Sequence, residues 1–134
     1  MDLLTQIRPF IVCLIIIAAL DYFFIKKIAG KIYLRELNEF SRKKDIAFSP
    51  RSGPAFVIYL VLAGGALSLA YMNLGSTYLQ SLGSGALFGF LIYGFYDMTN
   101  YAILAKWSFK LSMIDIVWGT LLNAFMAVFL HWVM

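Results

Sequence analysis

Little in this sequence can be charged, oxidised or cross-linked. Only 13% of its residues are Asp, Glu, Lys or Arg, about half the share of a typical soluble domain. Cys13 is the sole cysteine and His131 the sole histidine, so no intrachain disulfide and no Cys/His metal spacing exists. Cys13 sits in an apolar run and reads as a small buried hydrophobe. A nucleophile elbow, a phosphate loop, an HExxH helix and a CxxC pair are all missing. The sequence therefore names no catalytic residue, no metal ligand and no cofactor. The pattern of a cleaved signal peptide is missing too. Asp2 and one Arg8 precede the first apolar run, while Lys26 and Lys27 follow it. That charge order is expected of a retained, reverse-oriented first span.

Apolar residues are plentiful, at 62% of 134 residues. So short a soluble chain would leave a large fraction of that surface in water. Lipid is the solvent that accommodates it, and residues 1–134 read as one integral membrane domain. The net charge of +4 is no sign of nucleic acid, because eight of the eleven Lys and Arg lie between Lys26 and Arg51. A basic loop flanked by apolar spans fits anionic lipid headgroups instead.

Four apolar stretches of about twenty residues, the length that crosses a bilayer as a helix, fall at about 3–25, 54–74, 82–104 and 111–133. Lipid offers no partner to an open backbone, so each is expected to be helical. Pro54 suits a first helical turn, and Arg8 and Pro9 place the first turn of span one at the interface. The connections differ in charge. Those at 26–53 and around Lys106 and Lys110 are basic, whereas 75–81 carries no charge. Ten Lys and Arg fall on one side and Arg8 alone on the other. The positive-inside rule puts the basic connections in the cytoplasm and both termini on the non-cytoplasmic side. So unequal a balance excludes insertion in two orientations, and any homo-oligomer is expected to be parallel. Within the long loop, Tyr33, Leu37 and Phe40 recur at helical spacing among Lys31, Arg35, Glu36, Glu39, Arg42, Lys43 and Lys44. They describe an amphipathic helix on the inner leaflet, either separate from span one or continuous with it. Residues 49–54 should then turn into span two. The expected fold is all-α: a four-helix transmembrane bundle with an amphipathic cytoplasmic segment between its first two helices.

Three acids interrupt the spans: Asp21, Asp97 and Asp115. Each costs about 2.5–3.5 kcal/mol at a helix centre, and such residues usually face the bundle interior and serve a function. Asp21 lies five residues before Lys26, Asp115 five after Lys110 and Asp97 nine before Lys106, so all fall in the cytoplasmic half. Tyr93, Asp97, Asn100, Tyr101 and Leu104 follow i, i+4, i+7, i+8 and i+11 on one helical face. Asp115, Trp118, Gly119, Leu122 and Asn123 do the same in span four, and Ala18, Asp21 and Tyr22 in span one. An acidic pocket with aromatic walls is expected, its ligand-binding residues being Asp21, Asp97, Asp115, Asn100, Tyr93, Tyr101 and Trp118. The bland alternative pairs Asp21 with Lys26 and Asp115 with Lys110. Gly85 and Gly89 have GxxxG spacing, read as packing within the bundle before a dimer face. His131, Trp132, Tyr78 and Trp107 read as ordinary interfacial residues.

Leu20-Asp21-Tyr22-Phe23, Tyr93-Gly94-Phe95-Tyr96-Asp97-Met98-Thr99-Asn100 and Asp115-Ile116-Val117-Trp118-Gly119-Thr120 resemble an uncharacterised family of small bacterial membrane proteins, domain of unknown function 2177, over nearly the whole chain. The resemblance implies a four-helix protein of the bacterial inner membrane and marks Asp21, Asp97, Asn100, Asp115, Trp118 and Gly119 as motif positions. It implies no activity, substrate or cofactor. Three functions fit the residues. The first is binding or transport of a proton, cation or small cationic solute through the Asp cluster. The others are an intramembrane enzyme acting on a lipid or isoprenoid, and an accessory subunit of a larger membrane complex.

Overall fold

The computed structural model describes residues 3–38 and 52–134. Expectations for Glu39, Phe40, Arg42, Lys43, Lys44 and the turn residues 49–51 fall outside the described residues. Described in chain order are α1 (Leu3–Phe23), a π-helical turn (Phe24–Ala29), α2 (Gly30–Leu37), α3 (Ser52–Met72), α4 (Tyr78–Ile103) and α5 (Phe109–Val133). No strand occurs among the described residues. The four long helices make the all-α transmembrane bundle.

Three stretches are long and apolar enough to cross a membrane: Thr5–Leu37, Ser52–Met72 and Phe109–Val133. α4 has 26 residues, about 39 Å of helix. Its serines, glycines and Asp97 dilute its hydropathy. It begins four residues ahead of the expected 82 because Thr77 and Gln80 form a capping box. The Gln80 amide donates to Thr77 Oγ1 (3.2 Å), and the Thr77 amide donates to Gln80 Oε1 (2.8 Å). Before that cap, Gly75 takes φ +82°, a left-handed conformation that suits glycine. At the other end of α4, Ser108 caps α5 by accepting from the Leu111 amide at 3.1 Å. Ser52, Gly53 and Pro54, expected in a turn, already belong to α3. Pro9 lies inside α1, which starts at Leu3, rather than at a helix entry.

The first helix does not stop at the expected 25. It runs through the π turn into α2. Its buried stripe advances by three or four residues through Cys13, Ile17 and Phe24, with Asp21 between, then by five to Ala29 and by four to Tyr33 and Leu37. The π turn absorbs that extra step. Thr5–Leu37 spans 33 residues, about 50 Å, well beyond a hydrocarbon core of about 30 Å. The apolar face of α2 is covered by protein, since Tyr33 and Leu37 pack with Leu111, Trp107 and Ile114 at the start of α5. It therefore caps the bundle instead of lying face-down on lipid, while Lys31 and Arg35 stay exposed.

Around the bundle, α1 packs on α3, α3 on α4, α4 on α5 and α5 back on α1; α3 and α5 touch across the centre. α5 is the most buried of the three apolar spans. The main core joins Cys13, Ile17, Leu62, Ala63, Ala66, Leu122 and Met126. The α4–α5 seam is closest at Gly85 and Gly89. A Cβ at Gly89 would strike the Gly119 carbonyl, and one at Gly85 the Asn123 carbonyl and Ala127. The GxxxG pair thus serves packing within the chain. Trp132, by contrast, is exposed.

Candidate functional site

Near the α4–α5 connection, the buried stripes of four helices each deliver a polar side chain. Asp21 continues the stripe of α1. On α3, Tyr59 heads the line of Leu62, Ala63, Ala66 and Ala70, three, four, seven and eleven residues on. Tyr93 and Asp97 share a face of α4. Asp115, Trp118 and Gly119 belong to the buried face of α5, with Ile116, Leu122, Asn123 and Met126.

Asp21 is held by two donors. Tyr59 Oη donates to Oδ2 at 2.7 Å and Trp118 Nε1 to Oδ1 at 2.9 Å. The Trp118 indole is fixed in turn by stacking on Phe24, with ring centroids 4.1 Å apart and 2° between planes. Asp115 is 8% exposed and lies within electrostatic range of Asp21. The Tyr93 ring rests on Gly119, where any Cβ would collide with it. Tyr93 is four residues before Asp97 on the same face of α4.

Asp97 is set apart. It is 0% exposed, and neither carboxylate oxygen has a hydrogen-bond partner. Ser112, on the facing turn of α5, is the hydroxyl that stands beside it. That hydroxyl accepts from Trp107 Nε1 at 3.0 Å, and Trp107 meets Tyr96 edge-on at 6.2 Å.

Asp21 and Trp118 come together, Tyr93 reaches the same stretch of α5 at Gly119, and no group of three acidic, His or Cys side chains forms among the described residues. The ion pair formed among the described residues, Arg35 with Glu36, lies away from these acids on the exposed side of α2. Lys26 lies over the Tyr22 ring at 5.6 Å, so the pairing of Asp21 with its nearest lysine is not what the structure holds. Tyr101 departs from the expected wall. It is exposed and packs on Phe109, centroids 5.4 Å apart. Eight residues beyond Tyr93, it has rotated about 80° from the shared face. Asn100 is half-buried on that face, and its carbonyl accepts from the Leu104 amide at 2.9 Å. Sequence reasoning missed Tyr59 and Ser112. Tyr59 had one available signal, its place at the head of a stripe of small residues.

A groove of about 280 Å³ adjoins the site, lined by Leu20, Trp118, Leu121, Leu122 and Phe125. None of the three aspartates lines it. At the far end of the seam, polar groups pair with one another. Ser81 Oγ shares a 2.7 Å hydrogen bond with His131 Nδ1, under the Tyr78 ring. Ser84 Oγ donates to the Ser81 carbonyl and accepts from Asn73 Nδ2.

Apolar helices with acids turned inward define a multi-helix membrane protein with an intramembrane polar site. The chain belongs to the family described as "Predicted membrane protein (DUF2177)", whose model matches residues 6–132. No curated protein and no solved structure matches it.

Proposed function

We propose that this protein binds protons and cations at its intramembrane acids, with Asp97 as the proton carrier. One observation carries the reading: a completely buried carboxyl group with no cation paired to it among the described residues, and only the Ser112 hydroxyl standing beside it. A bare carboxylate in so apolar a place costs far too much to persist, so its negative charge must be met by a proton or a cation. A proton needs no room, and Asp97 has none to offer. Among the described residues no three His, Cys, Asp or Glu side chains stand close enough to hold a metal ion, which favours the proton over a divalent metal.

The same reading sets the protein in a bacterial inner membrane, crossing four times with both termini outside the cytoplasm. The length of α4 and its close packing along α5 support a fourth crossing. Lys31 and Arg35 then face anionic headgroups, and copies of the chain associate in parallel. In vesicles reconstituted with the protein, an imposed pH difference should decay faster than in empty vesicles, and Asp97→Asn should remove the excess. Equal decay with the wild-type protein and the Asp97→Asn variant contradicts the proposal.

A further inference from the structure

We infer that Ser112 and Trp107 are the positioning pair of the Asp97 site: Trp107 fixes the Ser112 hydroxyl, and that hydroxyl holds the Asp97 carboxylate whenever its proton has left. This rests on reading Asp97 as the proton carrier and names what meets its charge between one proton and the next. The register of the α4–α5 seam brings the groups together. Gly85 packs on Asn123 and Gly89 on Gly119, so four residues forward on α4 match four residues back on α5. Eight residues further along the same seam, Asp97 falls opposite Leu111 and Ser112. Burial agrees, since Asp97, Leu111 and Ser112 are each 0% exposed. Trp107 links the two sides from the α4–α5 connection. Its ring meets Tyr96, the residue before Asp97, edge-on, while its Nε1 donates to Ser112 Oγ at 3.0 Å.

The direction of the hydroxyl follows from counting donors and acceptors. Serines and threonines within helices often turn back on the carbonyl four residues earlier, as Ser68 and Thr120 do here at 2.8 and 2.7 Å. Ser112 takes the Trp107 indole instead. An indole N–H can only donate, so Ser112 Oγ accepts there and keeps its own hydrogen for another group. A buried hydroxyl uses that hydrogen, and the buried acceptor opposite it is Asp97, whose oxygens take no other hydrogen bond. A hydrogen bond to an ionised carboxylate is about twice as strong as one to a neutral acid, so Ser112 tightens its hold as the proton leaves. The indole cannot pass a proton on, which makes Trp107 an anchor for Ser112.

The test compares infrared difference spectra of the full chain in nanodiscs, with isotope-labelled aspartate, and proton flux in vesicles. Ser112→Ala should shift the carboxylic-acid C=O band of Asp97 to the higher frequency of an acid that accepts no hydrogen bond. It should also slow flux by on the order of tenfold, the change that about 1.4 kcal/mol produces. Trp107→Phe keeps a ring against Tyr96 and removes the N–H, and should shift the band the same way by less. Ser112→Thr keeps the hydroxyl and should hold the wild-type band. A merely structural Ser112 would lower the unfolding midpoint without moving the C=O frequency. A band that stays in place in both Ser112→Ala and Trp107→Phe overturns the inference. A shifted band in a protein without flux would remove only the proton-carrying reading; wild-type flux with unmoved bands in the variants would remove only this one.

Discussion

The two ends of the α4–α5 seam are built from the same helices and treat polarity in opposite ways. Toward the α3–α4 turn, Asn73, Ser81, Ser84 and His131 satisfy one another with hydrogen bonds. Toward the α4–α5 connection stand three acids, with Asp21 held by two donors and Asp97 by none. Between the ends, Gly85, Gly89 and Gly119 bring the backbones into contact and close the seam. Paired polarity is what helix association in lipid requires. Unpaired acidity costs stability at every moment of the protein's life, and the fold tolerates it at one end of the seam. That contrast, more than the count of acids, is what the proposed function rests on.

Mutations can break the contrast or sharpen it. The largest effect belongs to the closed middle: Gly89→Leu forces a side chain into the Gly119 carbonyl and should cost about 3 kcal/mol or more, read as a lowered unfolding midpoint in detergent. Asp97→Leu should move the other way. Removing a fully buried carboxyl group that has no charged partner should stabilise by about 1–3 kcal/mol, while proton flux is lost; a loss of stability in the Asp97→Leu variant would mean that the Ser112 hydroxyl or another donor holds Asp97 firmly. Tyr59→Phe deletes one of two hydrogen bonds to a half-buried Asp21 and should cost about 1.5 kcal/mol, read as a lowered unfolding midpoint. At the opposite end, Ser81→Ala should cost about 1 kcal/mol and leave proton flux unchanged. Arg35→Ala should change stability by less than about 0.5 kcal/mol, since the Arg35–Glu36 pair is largely exposed.

Much of this was legible beforehand, for physical reasons that differ by residue. The face carrying Asp115, Trp118, Gly119, Leu122 and Asn123 follows from helical periodicity alone, and all but the half-buried Trp118 are buried. The Gly85–Gly89 spacing foretold a close helix contact, though not its partner on α5. The start of α4 was readable in Thr77 and Gln80, a capping signature that hydropathy overlooks. The continuation of α1 through the π turn was not readable in detail, because one extra residue in a helix leaves no compositional trace. Tyr59 was hidden for a similar reason: a single tyrosine in an apolar run looks like any interfacial aromatic until a neighbouring helix supplies the acid. Tyr101 was misplaced because i+8 drifts off a face that i+4 and i+7 keep.

Infrared difference spectroscopy on the reconstituted protein tests the role of Asp97 most directly. With isotope-labelled aspartate, the wild type should show a carboxylic-acid C=O band near neutral pH that vanishes in Asp97→Asn and exchanges slowly in deuterated water, as a group with no exposed surface must. A spectrum in which Asp97→Asn changes only ionised carboxylate bands would show a permanently charged, paired residue, and the proton-carrying role would fall.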